Sequence, residues 1–150
     1  MNQEVTYIDL GLSVKWADRN IGANLPRDFG EYYTDTWHLQ EGNLPTNAQW
    51  EELQSLCTFI HDEVRNGIIA TGPNGNSIFL PYAGEKGGYT DKNFSNALFW
   101  TSTPYYDEFK DKYSFYAGFS KSKYSKKVNA GIYFVDKEKY YISIRTVEAV

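Results

Sequence analysis

The apolar residues of this chain come in short runs cut by Gly, Pro, Asn and Asp, and this punctuation limits what the chain can fold into. IIATG, NSIFLP, LFWTST, YSFYAGF and AGIYFV are strand-length and rich in β-branched and aromatic residues. One stretch departs from that pattern. In LPTNAQWEEL, Thr46 stands as an N-cap with Gln49 three residues on, the spacing of a capping box. Trp50, Leu53 and then Leu56 or Cys57 recur at helical spacing, so one face of that helix is apolar. Glu51 and Glu52 fall in the early turns, where the helix dipole favours negative charge. The helix is expected to end near Cys57 or Thr58. One helix among many strands predicts an α+β fold with antiparallel sheets, one main helix and long loops.

The remaining punctuation places the other elements. Residues 5–16 read as strand, bend at Gly11, then strand, and 22–31 as loop. Glu31 to Trp37 reads as a short extended piece. Asn66-Gly67 and Asn74-Gly75 are hairpin-turn signals that divide TFIHDEVR, IIATG and NSIFLP into a meander. Residues 84–97 read as a long loop, and Pro104 stops the buried strand LFWTST. The turn Asp136 to Lys139 separates AGIYFV from a last strand, YYISIRTV. The 150 residues fit a single domain, 1–150. A domain of this size buries roughly 70% of its unfolded surface, enough to stand without disulfide or metal.

Composition excludes several function classes. The 15 basic and 19 acidic residues leave a net charge of -4, which argues against nucleic acid as the partner. Lys121, Lys123, Lys126 and Lys127 form a local basic stretch, read as a solvated edge strand. Cys57 is the only cysteine, so no intrachain disulfide forms, and its place beside the apolar helix face predicts a buried structural thiol. No apolar run reaches the roughly 20 residues of a membrane span, so no membrane insertion is expected. The N-terminal stretch lacks the pattern of a signal peptide. The expected locations are therefore cytoplasmic or virion-associated, or a trimmed exported protein.

Catalytic motifs are missing. His38 and His61 are the only histidines and sit in no metal-ligand spacing. There is no nucleophile elbow, P-loop or dinucleotide fingerprint. Asp91, Asn93 and Asn96 offer oxygen ligands for Ca²⁺ but lack the acidic density of a strong site. No cofactor, no metal and no enzymatic activity are expected.

Four segments together carry a family resemblance: IDLGLSVKWADRNIGA at 8–23, LPTNAQWEEL at 44–53, TGPNGNSIFLPYAG at 71–84 and FWTST at 99–103. They resemble the major paralogous domain family (Fib-succ-major, or FISUMP), abundant in surface proteins of gut Bacteroidetes-type bacteria. The closing KYYISIRTV is similar to that family's last strand, where an aromatic pair precedes an Arg. The family is similar to the formylglycine-generating-enzyme branch of the C-type lectin-like fold. The resemblance implies a C-type lectin-like domain: an antiparallel sheet core, a helix packed on it, and ligand-facing loops on one side. The cysteines of that branch's enzymes are absent, so their chemistry does not carry over. The EPN, QPD and WND motifs of calcium-dependent lectins are absent too. Arg19 stands where many family members carry Cys, which leaves Cys57 without that partner.

The aromatic content, 17% with 13 Tyr, 9 Phe and 4 Trp, serves either a β-rich core or a binding face. Trp16, Trp50 and Trp100 are expected in the core. PYYDEFKDKY does not alternate, so its aromatics cannot all point inward. This places the expected ligand-binding surface at Tyr105, Tyr106, Asp107 and Phe109, joined by Tyr124 and Lys126. The expected function is a non-enzymatic binding module for carbohydrate or protein on a cell or virion surface. The competing readings are a phage virion decoration protein, homo-oligomeric through its strands, and, ranked last, an enzyme.

Overall fold

The computed structural model describes residues 5–34, 43–87, 95–122 and 127–150. Among these the order is β1 (Tyr7–Ile8), β2 (Val14–Ala17), α1 (Asn47–Leu56), β3 (Thr58–Asp62), β4 (Gly67–Thr71) and β5 (Ser77–Pro81). Then follow β6 (Lys86–Gly87), β7 (Asn96–Trp100), β8 (Tyr113–Lys121), β9 (Val128–Asp136), β10 (Tyr140–Tyr141) and β11 (Val147–Ala149). The strands form three three-stranded sheets, β1-β2-β11, β3-β4-β5 and β7-β8-β9, and a two-stranded pair of β6 with β10. Every strand pairing is antiparallel. The fold is α+β.

Helix α1 begins as its capping box dictates. Thr46 Oγ1 accepts from the Gln49 backbone N–H at 3.1 Å, and Gln49 Oε1 accepts from the Thr46 N–H at 2.9 Å. Both satisfy donors that a helix start leaves without partners. Trp50 and Leu53 are buried, and Cys57 rather than Leu56 completes the apolar side. Burial, with the Glu52 charge second, pushes the Cys57 thiol up to about 11. The expected dipole role of Glu51 and Glu52 does not hold, because the first turn contains no acidic residue. Glu52 instead accepts from the Ser13 N–H and hydroxyl at 3.0 and 2.9 Å, tying α1 to the segment before β2.

Sheet β7-β8-β9 divides two apolar clusters, and strand alternation assigns the sides. Ala97, Phe99, Ala117 and Phe119 face the main cluster with Trp16, Trp50 and Leu53. Leu98, Trp100, Tyr116 and Val135 face a smaller one with Leu44, Ile142 and Ile144. Trp16 and Trp50 lie 4.6 Å apart, and Phe99 stacks on Trp50 at 4.9 Å. Trp16, Trp50 and Trp100 are all fully buried, as expected from sequence. The bend after β1 places Gly11 at a φ of 83°, a value that favours glycine. The 72–76 turn packs against that bend so closely that a Cβ on Gly72 would collide with the Leu10 carbonyl.

Further expectations are corrected. The 84–97 stretch read as loop contains β6 and the start of β7, and the strand LFWTST ends at Trp100, well before Pro104. Asn66-Gly67 is not the centre of its turn. Gly67 already pairs with Asp62, and the turn is Glu63–Asn66. Asp62 Oδ1 organises it by accepting from the N–H groups of Val64 and Arg65, each at 3.1 Å. YYISIRTV is not one strand. Ile142 pairs with Tyr33, Ser143 bridges Phe99, and Val147 joins β2 in another sheet. Its backbone passes from partner to partner because Ile144 O accepts from Ile21 N–H at 2.9 Å and Thr146 O from Ala17 N–H at 3.0 Å. Lys121 does not sit on an edge strand. It ends the central strand β8 and pairs with Glu63 at 3.0 Å.

Candidate functional site

Chain leaving β7 meets Pro104 and returns to β8 through a turn. The Phe109 N–H donates to Tyr106 O at 2.9 Å, and the N–H groups of Lys112 and Tyr113 donate to Phe109 O at 3.0 Å. This folds 106–113 back on itself and sets Tyr105 against the start of β8. Along β8 the residues Tyr113, Phe115, Ala117 and Phe119 share one face, since side chains alternate with period two. Ala117 and Phe119 are buried in the main cluster, while Tyr113 and Phe115 are only partly covered. The register places Phe134 of β9 directly opposite Phe115.

Tyr105 is the hub of what results. Its ring centroid lies 4.9 Å from Tyr106, 4.9 Å from Phe115, 5.1 Å from Phe134 and 5.6 Å from Tyr113. Phe109 reaches Tyr113 at 6.2 Å. These separations suit tilted and edge-to-face aromatic packing. The outer rings stay in water: Tyr106 is 71% exposed, Phe134 54% and Phe109 50%. Charge surrounds them. Asp107, Glu108, Lys110, Asp111 and Lys112 are exposed on the turn, and the Lys112 ammonium stands 5.3 Å over the Tyr113 ring. Lys137 pins the turn by donating from Nζ to Lys110 O at 2.9 Å.

Of the residues expected from sequence, Tyr105, Tyr106 and Phe109 come together, with Asp107 at their rim. Tyr124 and Lys126 lie outside the described residues, as do Trp37, His38, Asp91 and Asn93. Asn96 begins β7. Phe115 and Phe134 were missed. Alternation in YSFYAGF and AGIYFV marks which residues share a face, but the β8–β9 register that opposes these two is not written in either run. His61 is taken up structurally, its Nδ1 lying 2.9 Å from the Tyr82 hydroxyl. Among the described residues no three His, Cys, Asp or Glu side chains are grouped to hold a metal ion. No described helix is long and apolar enough to cross a membrane.

No family model matches the chain, and no curated protein or solved structure matches it.

Proposed function

We propose that the protein is a non-enzymatic binding module that holds cell-surface carbohydrate on this aromatic face, within a C-type lectin-like domain of the major paralogous type. The observation that carries the reading is the grouping of Tyr106, Phe109 and Phe134, each half exposed or more, around Tyr105. Contiguous exposed aromatics on a soluble domain mark contact sites, because leaving them wet is unfavourable. Phenyl and phenol rings cover the apolar face of a sugar, and the carboxylates and ammonium groups at the rim hydrogen-bond its hydroxyls. The four resembling segments support the same reading, and one helix with antiparallel sheets is compatible with it.

The test is a glycan array probed with the wild-type chain and with Tyr106→Ala and Phe134→Ala. The expected result is saturable binding to a defined set of glycans that both variants lose while melting as the wild type does. No binding across the array, or binding that both variants retain, overturns it. Strand β9 is an edge of its sheet and exposes Tyr133 and Phe134, which favours a second reading as a decoration protein that docks on another protein. Sedimentation separates the two, because that reading expects self-association lost with Phe134→Ala and no glycan signal.

A further inference from the structure

The opposite side of sheet β7-β8-β9 carries a cleft that the aromatic face does not use. Leu98, Tyr116 and Val135 point to this side, and Glu85, Tyr140 and Ile142 close around them. The cleft holds about 170 Å³. A cavity of roughly 150 Å³ accommodates a benzene-sized molecule, so the occupant has on the order of six to eight heavy atoms. Leu98, Val135 and Ile142 supply the apolar part of the lining, and Tyr116 and Tyr140 bring phenol rings to it. Glu85 brings the one carboxylate.

Among the described residues that carboxylate has no ion-pair partner. No described residue donates a hydrogen bond to Glu85. Lys86, its neighbour in sequence, lays its ammonium 4.7 Å over the Tyr32 ring instead. Burial pushes the Glu85 carboxyl above its usual range. The Tyr116 hydroxyl is raised too, first by burial and then by the Glu85 charge. A partly desolvated carboxylate beside phenol rings repels anions and is stabilised by a cation. A hard metal ion demands six or more oxygens, which this lining does not supply. A soft organic cation needs only ring faces and one counter-charge.

We propose that this cleft binds a small organic ammonium head group, with Glu85 as its counter-charge and the Tyr116 and Tyr140 rings as its cation–π walls. A neighbouring cleft of about 180 Å³ shares Leu98 and Tyr116 and runs on to Tyr133, leaving room for the rest of a larger ligand. The Tyr116 and Tyr133 rings lie 5.5 Å apart, over Gly118 and Gly131. A Cβ on Gly118 would come within 3.0 Å of the Tyr133 ring, so glycine is what lets that ring lie flat against the sheet.

The experiment titrates the full chain with choline and, separately, with its uncharged tert-butyl isostere, read by NMR shifts of assigned residues. Choline is expected to give saturable shifts centred on Leu98, Tyr116, Tyr140 and Ile142, and to bind roughly tenfold or more tightly than the isostere. Glu85→Gln keeps the shape and removes the charge. It should bring choline down to the level of the isostere and leave the isostere unchanged. Equal binding of the two ligands by the wild type overturns the proposal without any variant. So does an absence of saturable shifts, or shifts confined to the Tyr105 and Tyr106 face. Failure of the carbohydrate reading leaves these outcomes untouched, since the two sites lie on opposite sides of the sheet.

Discussion

Arg145 donates from Nε to Asn20 Oδ1 at 2.8 Å, joining residues 125 positions apart in the chain. Its other two nitrogens donate to Ala17 O at 3.0 Å and Phe79 O at 2.8 Å. The guanidinium is fully buried, and burial pushes its pKa down to about 9, which still leaves it charged at neutral pH. A buried charge is tolerated only while its donors are matched, so these contacts are expected to hold β2, β5 and the last chain segment together. Asn20→Ala should cost about 1.5–3 kcal/mol, the range for losing a hydrogen bond to a charged group. Arg145→Lys should also destabilise, because one ammonium cannot reproduce the planar fork. Urea unfolding midpoints check both, and unchanged midpoints would refute the role.

Thr46 is expected to matter beyond its own turn. It caps α1, and α1 packs on β8 and β9, whose far ends form the aromatic face. Thr46→Ala should lower stability by about 1 kcal/mol, and Thr46→Asn or Thr46→Ser by much less. Equilibrium denaturation of the three variants gives the ranking, and a mild Ala variant would refute it.

Tyr82 predicts how the protein responds to alkali. Burial raises its hydroxyl from the ordinary 10.0 to about 12. Between those values the folded state holds a proton that the unfolded state has released. This contribution is therefore complete below pH 10 and is lost as pH rises toward 12. Tyr82→Phe should begin about 1 kcal/mol less stable, since the contact with His61 goes, and should lose less stability over the same rise. Parallel stability-against-pH curves for the two proteins would contradict the assignment.

Tyr105 and Tyr106 are neighbours with different expected costs. Tyr105 touches four rings and Tyr106 is mostly in water. Tyr105→Ala should destabilise by about 1–3 kcal/mol, while Tyr106→Ala should stay within about 0.5 kcal/mol of wild type. Thermal melts of the two variants decide it. Equal losses would mean that both rings serve packing alone.

The helix was legible in the sequence because its signals are local. A capping box needs only Thr46 and Gln49 three residues apart, and its hydrogen bonds form between those same residues. The 72–76 turn and the bend at Gly11 were readable for the same reason, since each is set by the allowed backbone of one or two residues, whereas the strand expected to run up to Pro104 ends at Trp100. YSFYAGF and AGIYFV were readable as two strands from their length and their aromatic and β-branched content. The turn at Asn66-Gly67 was misplaced by a residue or more because the Asp62 side chain, not the Asn-Gly pair, organises it.

The sequence by itself determined the helix with its cap, the approximate place of most strands, and that Trp16, Trp50 and Trp100 belong inside. Only the tertiary structure decided that Phe134 stands opposite Phe115, that Tyr105 packs on both, and that Glu85, Tyr116 and Tyr140 line one cleft. It also decided that YYISIRTV breaks into separate pairings rather than forming one strand. The physical reason is range. Caps, turns and alternation arise from atoms a few residues apart. Register and pocket lining arise from contacts between distant segments, and a period of two gives a strand two faces without naming its partner.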